Sequence, residues 1–123
     1  VTFERGTAVT YGDRKQIFIS GTASIDNRGE IVAPGNIINQ VKRMMENVEA
    51  LLAEAGATWK DVMQSIVYLR DHADSHVVSD FFAEEYPGLP CLLVHAPVCR
   101  PGWLCETECI AVIPVSNEIY SPF

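Results

Sequence analysis

The sequence predicts an α+β fold, a single sheet with two helices on one of its faces. Two helix-length stretches repeat their apolar residues at helical spacing. The stretches around them are rich in β-branched and aromatic residues, in the alternating or continuous apolar pattern of strands. Each helix leads from one strand to another, and packing both on one face of one sheet is the simplest layered arrangement.

In order, Thr7 to Tyr11 is a short strand, Gly12 to Lys15 a polar turn, and Gln16 to Ser20 a strand with Ile17 and Ile19 on one face and Phe18 on the other. Small residues follow from Gly21 to Ile25. A turn at Asp26-Asn27-Arg28-Gly29 then leads into a strand at Glu30 to Val32. Asn36 is placed to cap a helix over Ile37 to about Ala55. Its stripe is Ile37, Ile38, Val41, Met44, Met45, Val48, Leu51, Leu52 and Ala55, with Gly56 at the position that ends it. Ala57 to Asp61 is a capped turn, and Val62 to Leu69 is a strand. His72 to Tyr86 is a second helix with Val77, Val78, Phe81 and Phe82 on its apolar side, stopped by Pro87-Gly88-Leu89-Pro90.

The last long run, Pro90 to Val115, resembles a hairpin joined at Arg100-Pro101-Gly102, with an irregular tail after Pro114. Its first half, CLLVHAPV, is apolar at both alternations. Strands of that kind are covered on both faces. Two helices cover one face, so the pattern predicts a homo-oligomer whose other subunits cover the second.

Composition excludes several classes of function. The net charge is −7 and no basic stripe is present, which argues against nucleic acid and anionic membranes as partners. No apolar run approaches the ~20 residues of a membrane span, and no secretory leader is expected. Cys91, Cys99, Cys105 and Cys109 lack metal or redox spacing and read as reduced, buried thiols of a cytoplasmic protein.

Chemistry-bearing residues concentrate in the same final run. Charges within apolar strands are costly unless paired or reactive. Glu106 and Glu108 are two residues apart and share a strand face, which suits one water-activating carboxylate and one orienting partner. Arg100 precedes a Pro-Gly turn and can hold an anion, with Trp103 as a flat apolar wall. Cys91 and His95 are four apart, about 13 Å along one strand, so they form no dyad within it. His72 and His76 have helical metal-ligand spacing, but no third ligand is evident and no metal is expected.

The segments GTASID (21–26), NVEALLAEAGAT (47–58), DV with VYLRD (61–71), PGLP (87–90) and ETECIAV (106–112) together resemble the Rid/YjgF family, also described as endoribonuclease L-PSP or translation-initiation inhibitor. The resemblance runs along essentially the whole chain. It implies a single YjgF-like domain over residues 1–123 with a chorismate-mutase-like fold. It also implies a homotrimer whose sheets form a central barrel with clefts between subunits. Members of the family hydrolyse imines and enamines such as 2-aminoacrylate, without metal or organic cofactor. In those deaminases an arginine two residues after a proline grips the substrate carboxylate, and a glutamate of the last strand positions water. Here the proline is Pro90, the arginine position is Leu92, and the glutamate is Glu106. The chain therefore resembles a subgroup lacking the deaminase arginine, and Arg100 is the candidate to stand in for it.

The resemblance and the residues together yield one set of expectations. Glu106 and Arg100 are the catalytic candidates; Trp103, Ser24, Thr22, Leu92, Cys91 and Glu108 line the substrate, and Tyr11 and Tyr68 are further candidates. The substrate is a small carboxylate-bearing imine, enamine or enol ether, the last because chorismatases share the fold. The alternative is a non-catalytic metabolite-binding module. An endoribonuclease is disfavoured by the acidic composition.

Overall fold

The computed structural model describes residues 4–122. It contains strands β1 (Gly6–Thr10) and β2 (Arg14–Thr22), helix α1 (Ile37–Glu54), strand β3 (Val62–Leu69), helix α2 (Ser75–Glu85), and strands β4 (Leu92–His95) and β5 (Cys105–Pro114). The strands form one sheet in the order β1-β2-β5-β3-β4. Only the β3–β4 pair is parallel.

Local chemistry sets the ends of α1. The Asn36 side chain accepts the Asn39 N–H at 3.0 Å, which satisfies one of the free donors of the first turn. At the other end Gly56 takes a left-handed φ of 83°. Its N–H donates to Ala53 O at 3.0 Å, and the Ala57 N–H donates to Leu52 O at 2.9 Å. These paired bonds close the last turn in the way a C-terminal glycine permits. Thr58 and Asp61 then cap a 3-10 turn at Trp59–Asp61, each side chain accepting the other residue's end of the box.

Alternation builds the core. Ile17 and Ile19 of β2, Val67 and Leu69 of β3, and Cys105, Cys109 and Ala111 of β5 meet Val41, Met44, Val48 and Leu52 of α1 and Val78 and Phe82 of α2 in one buried cluster. Both helices thus lie on one face, as the pattern predicts. The apolar side of α2 is narrower than its sequence suggests, because Val77 is exposed and Phe81 only half-buried.

The closing run is not a hairpin. Strands β4 and β5 both pair with β3, β4 in parallel and β5 antiparallel, so β3 separates them. The unit β3–α2–β4 is a crossover, which parallel strands require. Glu30 to Val32 is also not a strand; it contributes a single bridge, Ile31 to Ile25. Cys99 is exposed, unlike the buried Cys105 and Cys109. Among the described residues no helix is long and apolar enough to cross a membrane.

Because β4 and β5 are not adjacent, the connection between them crosses the end of β3, and the half-buried Arg70 and the buried Gln40 organise it. Arg70 donates to the carbonyls of Trp103 (2.7 Å), Val98 (3.0 Å) and Arg100 (2.6 Å). Gln40 interrupts the apolar stripe of α1 and is fully buried. Its Nε2 donates to Gly102 O at 3.1 Å and its Oε1 accepts the Leu104 N–H at 2.9 Å. Replacing it with alanine strands both groups in a dry site, each worth roughly 1–3 kcal/mol. Gln40→Ala is therefore expected to lose about 3 kcal/mol or more in chemical denaturation, the stranded backbone groups adding to the cavity the side chain leaves.

Candidate functional site

The face of the sheet opposite the helices carries the second half of every strand's alternation. Register places its residues in rows. Leu92, Ile66 and Glu108 are paired across β4, β3 and β5, and Val94, Tyr68 and Glu106 form the next row. Strand partners directly opposite are about 5 Å apart at Cβ. The two glutamates therefore stand on one face beside Ile66 and Tyr68, as their spacing predicts.

Glu106 is half-buried. Burial, and then the neighbouring charge of Glu108, push its carboxyl above the ordinary glutamate range. Gly21 makes the seat for this carboxylate. A Cβ built on Gly21 would lie 2.5 Å from Glu106 Oε1, so no side chain fits there without moving it. The β2–β5 register shifts between Ile19 and Thr22, and this irregularity carries Gly21. Glu108 is exposed and accepts the Tyr68 hydroxyl at 2.8 Å. That bond, together with burial and the carboxylate charges, holds the Tyr68 phenol in its protonated form.

Tyr68 also packs against a second apolar cluster at this end of the sheet, made of Ala23, Ile25, Val98 and Trp103. The Arg100 guanidinium lies 5.0 Å from the Trp103 ring centre and donates through Nη1 to Gly29 O at 2.6 Å. Trp103 is buried, and its Nε1 is the buried side-chain polar atom without a hydrogen-bond partner among the described residues.

The remaining candidates are distributed as follows. Leu92 is 61% exposed on the open face, level with Glu108. Cys91 precedes it, points the other way and packs against the main core, where burial raises its thiol pKa. Thr22 and Ser24 are buried, and their hydroxyls donate to Ser20 O (2.8 Å) and Val32 O (2.6 Å). Glu106, Glu108, Leu92 and Tyr68 thus share one face, and Trp103 with Arg100 borders its end. Cys91 does not join them, and the Thr22 and Ser24 hydroxyls are committed to the backbone. Tyr11 lies at the far end, under Arg14 at 4.2 Å.

His72 and His76 are not paired. His72 meets His95 edge-on at 6.1 Å, and His76 is 3.6 Å from Asp80. Among the described residues no group of three or more His, Cys, Asp and Glu is arranged to hold a metal ion. Sequence reading missed Gly21 and Arg70. A glycine in the continuation of a strand is the signal for the first; Arg70 resembles an ordinary strand terminator.

Two helices on one face of a mixed sheet, with a half-buried glutamate on the open face, define a single-sheet α+β protein whose candidate site lies on bare sheet rather than between sheet and helices. A family model described as endoribonuclease L-PSP matches residues 7–113, and the chain belongs to this family, the Rid/YjgF proteins. It is 29% identical over 99 residues to the 3-aminoacrylate deaminase RutC of Acinetobacter baylyi, covering 77% of each chain. It is 45% identical over 76 residues to a RutC family protein of Pyrococcus abyssi, a match spanning 58% of this chain and 59% of that protein, less than two thirds of its length. The structure of RidA from a Psychrobacter species superposes with a TM-score of 0.73 at 25% identity, covering 92% of this chain and 89% of that one.

The raised Glu106 pKa has a consequence for stability. A carboxyl shifted upward on folding favours the folded state while it is protonated. That contribution is lost as pH rises through the ordinary glutamate range and above it. Glu106→Gln keeps the neutral form at every pH. Thermal unfolding is expected to show the variant melting above the wild type at neutral pH, with the difference closing toward acid pH.

Proposed function

We propose that the chain is a deaminase-type hydrolase in which Glu106 activates water for addition to a small imine, enamine or enol ether. The carrying observation is the Glu106 carboxylate, half-buried, raised in pKa and seated where Gly21 lacks a side chain. A general base works best when its pKa is drawn toward the working pH. With an imine, Glu106 takes a proton from water as the oxygen bonds to the imine carbon. The nitrogen is protonated, the C–N bond breaks, and a carbonyl compound and ammonia leave. The match to a protein named 3-aminoacrylate deaminase supports this class of reaction.

The open face also supports a homotrimer with the cleft between subunits. Phe18 is 37% and Leu92 61% exposed, and the half-buried Ile66 and Ile110 lie between them. Burying such a surface is favourable by roughly 25 cal/mol per Å² of apolar area. Arg100 would serve a substrate carboxylate entering from the Trp103 end, since Leu92 offers no donor. The four free thiols fit a reducing, cytoplasmic setting.

A second reading, a non-catalytic metabolite-binding module, is favoured by one observation: the exposed apolar Leu92 stands where the resemblance places a carboxylate-gripping arginine. Imines generated in situ from amino acids distinguish the two. The wild type is expected to accelerate their hydrolysis, and Glu106→Gln to lose about 100-fold or more of that rate while remaining folded. The rate should rise with pH as Glu106 ionises, with its midpoint above the ordinary glutamate range. Thermal stabilisation by keto acids without turnover would instead establish the binding module.

Assembly has its own test. Ile110→Asp places a charge in the centre of the open face, and sedimentation is expected to show the wild-type trimer replaced by monomer. A wild type that sediments as a monomer would refute the trimer.

A further inference from the structure

A groove of about 570 Å³ runs between α1 and the turn after β2, on the helix side of the molecule and apart from the Glu106 face. Arg5, Arg28 and Arg43 line it, three of the nine Lys and Arg residues in a chain of net charge −7. Its apolar lining comes from Ile25, Ala50 and Leu51.

Helix α1 fixes this wall. Asn47 donates to Ala23 O and Ile25 O, both at 3.0 Å, and Arg43 Nε donates to Ile25 O at 3.3 Å. Arg43 Nη1 meets Glu46 at 3.3 Å, while its Nη2 has no partner among the described residues. The Arg28 guanidinium has none among them either. Asp26, the carboxylate of the groove, accepts the Arg28 and Glu30 N–H groups through one oxygen at 2.8 and 2.9 Å, which keeps it in the turn. Among the described residues the groove therefore presents the open donors of the Arg28 guanidinium and of Arg43 Nη2 beside apolar surface, in a protein whose overall charge repels anions.

We propose that this groove is a second binding site, for a small organic oxyanion: a carboxylate or phosphate carried on an apolar body. Guanidinium groups bind such head groups through paired N–H donors, and Ile25, Ala50 and Leu51 meet the carbon part. The site is independent of Glu106 and of the reaction assigned to it.

The test is an NMR titration of the labelled protein at constant ionic strength with benzoate, phenyl phosphate and the neutral benzyl alcohol. Saturable shifts at the amides of Arg28, Gly29 and Asn47 are expected with at least one anion and not with the alcohol; which anion saturates identifies the head group. Arg28→Glu, at an exposed turn position, is expected to weaken binding about tenfold or more. Glu106→Gln should leave it unchanged. Shifts that grow linearly with all three compounds would overturn the proposal. So would saturable binding that survives Arg28→Glu or disappears in Glu106→Gln.

Discussion

Strand β3 separates β4 from β5, and that placement is the constraint on which the candidate site depends. A hairpin would have satisfied its own backbone at a tight turn. Here the segment from Pro97 to Trp103 must cross the end of a third strand, where no ladder receives its carbonyls. Arg70 takes three of them, and Gln40 takes the carbonyl of Gly102 and the N–H of Leu104. An unpaired buried backbone group costs about as much as a lost hydrogen bond. These two side chains are therefore part of the topology rather than additions to it. They also bring Val98 and Trp103 against Tyr68, and so set the wall beside the Tyr68–Glu106 row.

On the open face the same alternation that builds the core places the two carboxylates. Cys105, Thr107 and Cys109 face the helices, so Glu106 and Glu108 must face away. The two carboxylates then separate in character. Glu108 is exposed and hydrogen-bonded by Tyr68, while Glu106 is half-buried against Gly21. Burial, and then the neighbouring Glu108 charge, raise the Glu106 pKa.

The parts of this structure legible in the sequence are those written locally. The Asn36 cap, the Gly56 stop, the Thr58–Asp61 box and the stripe of α1 each involve residues within a few positions of one another, and each is present. The pairing of the last two strands is non-local. Two apolar runs around Arg100-Pro101-Gly102 carry a hairpin's punctuation, and nothing nearby in sequence says that β3 will sit between them. Gln40 is hidden for a related reason: a polar residue at the edge of an apolar stripe looks solvated until its partners from distant Gly102 and Leu104 arrive. Within the site, alternation correctly put both glutamates on one face. It also required that adjacent Cys91 and Leu92 face opposite ways, so both could not reach the same ligand.

Arg70 recognises the β4–β5 connection through carbonyl oxygens, which every amino acid supplies. Substitutions at 98, 100 or 103 leave those three acceptors in the chain. The connection is thus held by an anchor that does not read its side chains, so its sequence can change while its path is kept. A lineage could exchange the Arg100–Trp103 stack for other side chains, and with it the shape and charge of the wall at this end of the sheet, without having to evolve a new fold.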